Sequence, residues 1–496
     1  LRYSRDSRCS FSSGSRNLYL LKNFGAPSLS KVRFEKASKY DHKVSIAIVG
    51  AGAAGLVAAL AAKDNNVDVM VFERDNVPSG STALSSGFIP ACNTRWQSAI
   101  ASKDTVDIFV DDIQRKNKNQ SDRQFVRNVC SVSAEVLHWL VDKHEQEFIL
   151  IDQFLYPGHT THRMHAHPSR TGSALINSLL EAVEKAGVDV VCSAQVEDLF
   201  AREDGTIHGL SIKRPDGMVE RVGCDAVIFA CNGFGGNRIM VDEFIPEMSD
   251  SLYFGHAGNK GDSVSWAKQL GASLAQMGSY QGHGSVATPH GVLITWAIIM
   301  EGGIQLNSDG VRFSNETEGY SEQALNVLRQ PEGIAWNVFD ERLHNLGLDF
   351  EDYRRAEEAG AIRIADSVAS LADIIGAPVD TIKKSLEEID NFSKGNLSCP
   401  FGRIFEDNKK LQGPPFYLVK VTGALFHTQG GILVDNQARV IRSDGSKLPN
   451  IFASGGAAVG VSGTGVDGYL SGNGLLTAVT LGYLAGCFAG EQAKES

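Results

Sequence analysis

Residues 44–62 read VSIAIVGAGAAGLVAALAA, and this stretch decides the fold of the chain. Its first six residues are mostly β-branched or apolar, which is typical of a strand buried on both faces of a parallel sheet. Helix formers run from Leu56 to Ala62, and a second apolar run extends from Val67 to Phe72. The pattern predicts a β-α-β unit with a glycine turn between its first strand and its helix.

The glycine turn has the spacing of a dinucleotide-binding fingerprint. Gly50 permits the tight turn, Gly52 lets the backbone approach a pyrophosphate, and Gly55 allows the helix to pack closely on the strand. Free N–H groups at the helix N-terminus bind phosphate. Glu73, at the end of the second strand, is placed to accept hydrogen bonds from ribose hydroxyls. The turn predicts a dinucleotide site, and both NAD and FAD fit it.

The composition is that of a globular protein with at least two domains. The 496 residues exceed the length at which one hydrophobic core keeps growing, and 43% are apolar and 21% charged. A net charge of -11 argues against a nucleic-acid binder, which needs a basic face. The eight cysteines form no Cys-x-x-Cys pair, so neither a zinc site nor an iron–sulfur cluster is indicated. We expect a soluble, cytoplasmic protein.

Two stretches bear on targeting and membranes. The apolar run 44–62 is interrupted by the glycine turn and continues into Lys63, so we expect no transmembrane segment. Residues 1–43 are basic and rich in serine, which is typical of a transit peptide or an unstructured leader. Organellar targeting by this leader is therefore the alternative to a cytoplasmic location.

Further along the chain, the sequence predicts helices and strands in turn and then a region of mixed helix and loop. A helix is predicted from Gly172 to Ala186, followed by a strand from Val188 to Val191. Asp-Gly pairs at 204–205 and 216–217 predict a β meander, and the mixed pattern over 281–426 predicts an inserted domain. The other predicted strands are Val196 to Phe200, Ile207 to Ile212, Val219 to Val222, Ala226 to Cys231 and Ile451 to Ala453, and the other predicted helices are Glu351 to Arg363, Val379 to Lys394 and Leu475 to Phe488.

Two more segments complete a family pattern. Residues 79–87 read SGSTALSSG, and residues 468–476 read GYLSGNGLL after the stretch NIFASGG at 450–456. Together with the glycine turn, these segments resemble the fumarate reductase and succinate dehydrogenase flavoprotein superfamily. The resemblance covers nearly everything after residue 43. It implies an α/β fold in which a Rossmann-type FAD-binding domain, with a parallel sheet and a β meander, is interrupted by an α+β capping domain.

The resemblance also implies domain limits and cofactor contacts. The FAD-binding domain is expected at 44–280 and 427–496, and the capping domain at 281–426, hinged near Gln281 and Phe426. FAD is expected to be noncovalent, since 79–87 contains no histidine. A helix N-terminus facing the flavin would stabilise its anionic reduced form. The expected FAD-binding residues are Gly50, Gly52, Ala54, Gly55, Glu73, Arg74, Ser81, Thr82, Ser86, Gly87, Val196, Gly233, Gly456, Gly472, Asn473, Leu475 and Leu476.

The substrate side departs from the fumarate reductase pattern. His283 and His427 match two substrate-binding histidines of those enzymes, although either fits an ordinary hydrogen-bonded histidine. Tyr320 occupies the place of their catalytic arginine, and Tyr469 occupies the place of an arginine that grips a substrate carboxylate. Because both guanidinium forks are lost, bidentate carboxylate recognition is lost as well. The resemblance therefore makes fumarate an unsuitable substrate.

The tyrosines resemble a neighbouring branch, the 3-ketosteroid Δ1-dehydrogenases. There a tyrosine at the position of Tyr320 removes a proton α to a carbonyl, and Tyr156 falls near a second, supporting tyrosine. That branch binds the substrate carbonyl with a tyrosine and a glycine four residues later, whereas Tyr469 and Gly472 are three apart. The implied enzyme is an FAD-dependent oxidoreductase acting on CH–CH bonds next to a carbonyl, with a small-molecule carbonyl substrate and an unidentified electron acceptor or donor.

Several alternatives stay open at this point. A fumarate or urocanate type reductase, a flavin-dependent double-bond isomerase and a non-catalytic flavoprotein subunit share the same cofactor site. The loop with His159, His162, His165 and His167 is compatible with a metal, but its spacing favours an ordinary loop near the active site. Arg163 or Arg170 is a candidate to supply the positive charge that the two lost arginines no longer provide.

Overall fold

The structure, a computed structural model, describes residues 31–36 and 39–495. Residues 1–30 and 37–38 of the predicted leader lie outside the described residues. The leader stays a prediction, and its described end contains a strand. Strand β1, Lys31–Phe34, pairs in parallel with a strand of the main sheet, and its Val32 packs against the core. His42 and Lys43 already belong to the next strand.

The described residues alternate between strands and helices. The strands are β1 Lys31–Phe34, β2 His42–Val49, β3 Val69–Phe72, β4 Ile89–Pro90, β5 Ile149–Ile151, β6 Met164–Ala166, β7 Asp189–Val191, β8 Gln195–Ala201, β9 Ile207–Lys213, β10 Val219–Phe229, β11 Leu252–Tyr253, β12 Leu274–Ala275, β13 Tyr280–Ala287, β14 Val292–Leu293, β15 Ile304–Leu306, β16 Ile334–Asp340, β17 Ile362–Ala365, β18 Phe416–Thr428, β19 Gly431–Ile432, β20 Arg439–Ile441 and β21 Lys447–Ala453. The α-helices are α1 Ala53–Lys63, α2 Gly80–Ala83, α3 Arg95–Ala99, α4 Val106–Lys116, α5 Arg123–His144, α6 Gly172–Lys185, α7 Arg238–Phe244, α8 Asp262–Gln269, α9 Ala297–Met300, α10 Tyr320–Leu328, α11 Glu341–Gly347, α12 Glu351–Glu358, α13 Val368–Ile375, α14 Val379–Ser393 and α15 Asn473–Glu495.

A nine-stranded sheet holds the β-α-β unit at its centre. Its order is β1-β8-β9-β10-β2-β3-β7, with β21 added beside β10 and β20 beside β21. Strand β2 pairs in parallel with both β10 and β3, so its apolar side chains are buried on both faces. The antiparallel strands β8, β9 and the start of β10 form the predicted meander. The α/β class and the parallel sheet with its meander are as predicted.

Strand β10 corrects one detail of the meander. The sequence predicts two strands, Val219 to Val222 and Ala226 to Cys231, but the structure has one continuous strand. Its first half pairs with β9 and its second half with β21, on the same edge, while its other edge pairs with β2. A strand that changes its partner half-way along reads in the sequence as two short strands.

A seven-stranded sheet is built around β18. This strand pairs with β13, β16 and β17 and also with the short strand β11. The two expected hinge positions lie side by side, since Gln281 pairs with His427 and Gly282 with Leu425. Strand β11, at Leu252–Tyr253, precedes residue 281 in the sequence but pairs with β18. The sheet therefore includes residues outside the expected inserted domain. The domain limits stay a prediction.

The predicted helix from Glu351 to Arg363 is also corrected. Helix α12 ends at Glu358, and Gly360 then adopts a φ of 72°, a left-handed conformation that ends helices. Residues Ile362–Ala365 form β17 on β18. Pairing with β18, which follows much later in the sequence, places these residues in a strand although the charged residues before them have a helical pattern.

The closest helix pair is α1 and α15, which run parallel. A Cβ added to Gly482 would lie 2.5 Å from the carbonyl oxygen of Ala54, and one added to Gly486 would overlap the carbonyl oxygen of Ala58. Small residues therefore let the two backbones touch. Among the described helices, α15 alone has the length and mean hydropathy to cross a membrane, but most of it is buried in the protein, as in a core helix.

We expect Gly486→Val to destabilise the protein. The added side chain has to push α15 away from α1, and overpacking of this kind costs about 1–3 kcal/mol. The thermal midpoint should fall by several degrees. The control is Glu491→Val, which places the same β-branched residue on the exposed side of α15 and should change the midpoint little. Equal midpoints for both variants would contradict the close contact of the two helices.

Candidate active site

The glycine turn leaves room for a phosphate. Gly50, with a φ of 105°, donates its N–H to the Phe72 carbonyl oxygen at 2.8 Å, which ties the turn to β3. A Cβ at Gly55 would overlap the Gly50 carbonyl oxygen, so this glycine is needed for packing. At Gly52, by contrast, the single protein atom within 4 Å of an added Cβ is Thr82 Oγ1, at 3.7 Å. The space beside Gly52 faces a cavity.

Glu73 and Arg74 lie at the mouth of this turn. The Glu73 carboxylate accepts N–H groups from Ala51 at 2.9 Å and from Asp75 at 3.0 Å, and it is largely buried. Arg74 pairs with Asp262 at 2.8 Å. Glu73 is thus fixed by the backbone of the glycine turn.

A cavity of about 680 Å³ runs from the glycine turn to the seven-stranded sheet. Its walls include most of the residues that the sequence predicts for FAD, namely Gly50, Gly52, Ala54, Glu73, Arg74, Ser81, Thr82, Ser86, Val196, Gly456, Gly472 and Leu475. The cavity contains glycine edges, hydroxyl groups and a carboxylate at one end and aromatic rings at the other. This donor and acceptor set, with the open space at Gly52, fits FAD.

Five of the residues predicted for FAD do not line the cavity. Gly55 packs against the turn, and Gly87 packs against the backbone of Thr171. Gly233 lies against Thr428. The Asn473 amide donates to the Ser462 hydroxyl at 2.9 Å, and Leu476 is fully buried in the core. These residues shape the segments around the cavity.

Two asparagines of the cavity wall were not predicted. The amides of Asn232 and Asn259 each donate to Ser81 Oγ at 3.0 Å, and all three residues line the cavity. Asn232 follows β10 and begins a glycine-rich break, a signal that could have found it. Asn259 stands in a loop without any motif. Both asparagines therefore tie the serine-rich segment to the end of β10 and to the loop before α8.

All five residues predicted for catalysis line the aromatic end of the same cavity. They are Tyr156, His283, Tyr320, His427 and Tyr469. The Tyr320 ring stacks on His283 with 4.8 Å between centroids, and its centroid lies 6.1 Å from that of Tyr469. The Tyr469 ring meets His427 edge-on at 5.7 Å. The fold thus brings together residues that are more than 300 positions apart in sequence.

The three phenols are neutral in the folded protein. Burial raises the pKa of Tyr320 well above its usual value, and the neighbouring Tyr469 raises it further. Burial likewise raises the pKa of Tyr156 and of Tyr469. Backbone groups of Gly474 and Gly472 bond the Tyr469 hydroxyl and partly offset that increase. At neutral pH each hydroxyl carries its proton and is a donor.

The two histidines are neutral as well. Burial lowers the pKa of His283 to about 3 and that of His427 to about 4. His283 Nδ1 accepts the backbone N–H of Ser285 at 3.2 Å. In the neutral ring this leaves the proton on Nε2. His283 is therefore a neutral hydrogen-bond donor rather than a cation.

Arg163 and Arg170, the two candidates to replace the missing positive charge, have different surroundings. Arg163 is fully buried and pairs with Asp104 at 2.8 Å and with Asp112 at 2.6 Å, so it has no free donor to offer a substrate. Arg170 lines the cavity and donates to Gln153 at 3.1 Å. Among the described residues, the other arginines of the cavity wall are Arg74 and Arg355.

The histidine loop does not form a metal site. His159 bonds the Ser471 carbonyl oxygen at 2.9 Å, and His165 bonds the Thr94 hydroxyl at 2.9 Å. His159 and His165 are thus held by protein groups of their own surroundings. Within residues 31–36 and 39–495, no group of three or more histidine, cysteine or acidic side chains is arranged to hold a metal.

A model of the FAD binding domain, FAD_binding_2, matches residues 45–475. The chain belongs to this family. The match confirms FAD as the cofactor of this flavoenzyme and agrees with the α/β fold described above. The open space at Gly52 and the buried Glu73 are the structural features that carry the cofactor assignment in this chain.

Relatives of the flavoenzyme fall into two groups. It is 28% identical over 471 residues to the "Probable fumarate reductase Ifc3" of Shewanella frigidimarina (strain NCIMB 400), over 94% of this chain and 78% of that protein. It is also 28% identical over 365 residues to the 3-oxosteroid 1-dehydrogenase of Mycobacterium tuberculosis (strain ATCC 25618 / H37Rv), over 65% of this chain and 63% of that protein. Both predicted branches are therefore represented.

Solved structures give the same two groups. The open conformation of a flavocytochrome c3 fumarate reductase has a TM-score of 0.77 and 26% identity, over 92% of this chain and 79% of that chain. A 3-ketosteroid-delta4-(5alpha)-dehydrogenase from Rhodococcus jostii RHA1 has a TM-score of 0.72 and 23% identity, over 92% and 98%, and shows the fold alone. The flavoenzyme is an FAD-dependent oxidoreductase that acts on CH–CH bonds next to a carbonyl.

We expect Gly52→Val to abolish FAD binding while the protein stays folded. Gly52 has an ordinary φ of -75°, so a valine fits the backbone, but its side chain fills the space beside the turn. Acid-released FAD measured by absorbance should fall at least about tenfold relative to protein, a loss of roughly 1.4 kcal/mol or more in affinity. Gly465→Val is the control and should keep its flavin, since Gly465 has a φ of -142° and an added Cβ would make one ordinary contact, with Asp467 Oδ1 at 3.4 Å. A yellow Gly52→Val protein would contradict this position for the pyrophosphate.

Proposed function

We propose that the flavoenzyme interconverts a neutral, saturated carbonyl compound and its α,β-unsaturated counterpart, with Tyr320 moving the α proton. The observation that carries this proposal is the buried phenol of Tyr320 beside Tyr469, in a cavity end made of neutral aromatic side chains. Bound FAD supplies or accepts the hydride at the β-carbon. In the reductive direction, the Tyr320 O–H bond breaks, its proton goes to the α-carbon, and the C=C bond becomes a CH–CH bond.

The state of Tyr320 favours a role as an acid. Its raised pKa keeps the phenol protonated, which is the form that reduction of a C=C bond requires. Dehydrogenation requires the phenolate, and the burial that raises the pKa opposes it. The protonated phenol can act in reduction as it stands, whereas dehydrogenation needs it to lose its proton first.

Tyr469 is suited to hold the substrate oxygen. Backbone groups of Gly472 and Gly474, at the start of α15, face its hydroxyl closely enough to lower its pKa. A hydroxyl that accepts backbone N–H groups still has its own O–H to donate to a carbonyl oxygen. Donors aimed at this oxygen stabilise the enolate that forms as the α proton moves. The His283 Nε2–H is a second donor on the same side of the cavity.

The charge of the cavity supports a neutral substrate. Arg355 lies near Asp352, with 3.7 Å between the charged atoms, and Arg170 bonds Gln153. Aromatic or apolar side chains form much of the wall at the Tyr320 end, and they are Phe88, Tyr156, Met164, Leu293, Trp296, Phe350 and Phe426. A dicarboxylate would leave its two charges without the paired guanidinium groups that such ligands need.

The second candidate is a reductase of the fumarate or urocanate type. His283 and His427 favour it, because they stand where that pattern expects substrate-binding histidines and both line the cavity.

The proposal also includes a closing role for residues 281–426, a soluble and cytoplasmic protein, a small-molecule carbonyl substrate and a separate electron donor or acceptor. Of these points, the small-molecule carbonyl substrate is the one that likeness to the relatives named above supports.

Tyr320→Phe tests the proposal. The variant should bind FAD and fold normally, since it loses one hydroxyl, but reoxidation of its reduced flavin by a neutral enone should slow about 100-fold or more. The measurement is anaerobic stopped-flow absorbance with 1,4-androstadiene-3,17-dione, 4-androstene-3,17-dione and cyclohex-2-enone, and with fumarate for contrast. Tyr280→Phe is the control, since Tyr280 is a fully buried tyrosine that does not line the cavity.

Each outcome separates the candidates. Fast reoxidation by an enone and none by fumarate supports the proposal, and the reverse supports the second candidate. Turnover of an enone to its positional isomer without any change of flavin absorbance indicates an isomerase. Equal rates for Tyr320→Phe and the unchanged enzyme would rule out Tyr320 as the proton donor and move that role to His283 or His427.

A further inference from the structure

Lys116, the last residue of α4, contacts the residues two positions before and two positions after Tyr320. Its Nζ donates to the carbonyl oxygen of Glu318 at 2.9 Å and forms an ion pair with the carboxylate of Glu322. Glu318 stands two residues before Tyr320, and Glu322 stands two residues after it. One ammonium group therefore holds the backbone before the phenol and the first helical turn after it.

The pair is nearly buried. The side chains of Lys116 and Glu322 are 11% and 12% exposed, and neither residue lines the cavity. Lys116 thus acts on the site through Glu318 and Glu322 and does not touch the substrate. Burying two charges is costly, and such pairs are often no more stabilising than apolar residues. A geometric role explains their presence better than stability does.

The residues just after Lys116 hold a second catalytic segment. Asn117 Nδ2 donates to the Val461 carbonyl oxygen at 2.9 Å, and the Gln120 side-chain oxygen accepts the N–H of Thr464 at 3.0 Å. These bonds fix the loop that leads to Tyr469. The end of α4 is therefore attached to the segments that carry both Tyr320 and Tyr469.

The stem of Lys116 also meets the segment of the third tyrosine. A Cβ added to Gly158 would lie 3.6 Å from Lys116 Cδ and 2.7 Å from Leu470 Cδ1. Gly158 follows Tyr156 by two residues, and Leu470 follows Tyr469 directly. Lys116 consequently lies where the three segments that carry Tyr156, Tyr320 and Tyr469 come together.

We propose that Lys116 is a positioning residue for proton transfer, and that its bonds to Glu318 and Glu322 set the place of the Tyr320 hydroxyl relative to the substrate. The inference rests on the proposed function, in which Tyr320 moves the α proton. Proton transfer needs the donor and acceptor within hydrogen-bond reach, and a displacement of about 1 Å costs about 100-fold in rate. Lys116 provides this placement from outside the cavity.

Removal of the ammonium leaves the protein able to fold. Burial raises the pKa of Glu322 to about 7, and the charge of Lys116 opposes this shift. Without Lys116 the pKa of Glu322 rises further, so the carboxyl takes up a proton instead of remaining as a buried, unpaired charge. Glu322 also lies in the first turn of α10, where the helix dipole stabilises any fraction of the group that stays ionised. Lys116→Met keeps the apolar stem that packs near Gly158.

The experiment uses the FAD-loaded enzyme with Lys116→Met, Lys116→Arg, Tyr320→Phe and the double variant Lys116→Met/Tyr320→Phe. Reoxidation of the reduced flavin by 1,4-androstadiene-3,17-dione gives the rate, and a titration of the oxidised enzyme with the same compound gives its Kd. We expect Lys116→Met to slow the rate about 10- to 100-fold, to change Kd less than about threefold, and to be partly rescued by Lys116→Arg. Lys185→Met, on an exposed ion pair with Glu145, is the control.

The double variant gives the decisive comparison. If Lys116 acts through Tyr320, Lys116→Met should have less than about a twofold effect when Tyr320 is already phenylalanine, since coupled residues are not additive. An equal slowing in both backgrounds would show a general structural role and overturn the proposal. A normal rate for Lys116→Met beside a slow Tyr320→Phe would overturn the positioning role alone.

Failure of the proposed function has a different signature. In that case Tyr320→Phe itself would keep a normal rate, or the unchanged enzyme would show no reoxidation by the enone. Hydrogen exchange of the amides of residues 319–324 then still decides whether Lys116 holds the turn. Exchange at these amides should rise in Lys116→Met and return towards normal in Lys116→Arg. Unchanged exchange would also overturn the inference that Lys116 holds the backbone around Tyr320.

Discussion

The contact between α1 and α15 is the constraint on which the site depends. Gly482 meets the backbone of Ala54 and Gly486 meets that of Ala58, so the two helices run in the same direction with their N-termini towards the cavity. From Gly482 back to Asn473 is about 13 Å along a helix at 1.5 Å per residue. The start of α15 therefore lies about that far beyond the start of α1. One helix end faces the pyrophosphate region, and the other faces the aromatic end with Tyr469.

Local sequence predicted the parts of the fold that local patterns determine. The glycine turn between β2 and α1, the meander and α15 each have a signal within a few residues, and each is found in the structure. What the sequence missed depends on distant partners. Strand β10 is continuous because β21, more than 200 residues later, pairs with its second half. The Ser81 contacts of Asn232 and Asn259 likewise span 151 and 178 positions, and no local pattern encodes them.

An aromatic stack links the paired strands β13 and β18 to the proposed chemistry. The rings of Phe254, Phe426, His283 and Tyr320 follow one another at centroid distances of 4.8, 5.2 and 4.8 Å, with interplanar angles near 20°. Burial within this stack lowers the pKa of the histidine and raises that of the tyrosine, so both groups become uncharged. The same burial that fixes their positions thus removes charge from the cavity, which favours a neutral ligand over an anion.

Two further arginines, Arg312 and Arg403, form buried ion pairs with Glu316. Arg312 lies eight residues before Tyr320 in the sequence, and it bonds Glu316 at 2.6 Å. Glu316 also pairs with Arg403 at 3.0 Å, and all three side chains are buried. Because a buried carboxylate needs these cations, neither is free to turn towards a substrate. Arg312 and Arg403 therefore do not compensate for the two arginine positions that the resemblance assigns to Tyr320 and Tyr469, and in the proposed function the hydroxyls of these tyrosines are donors to a carbonyl oxygen.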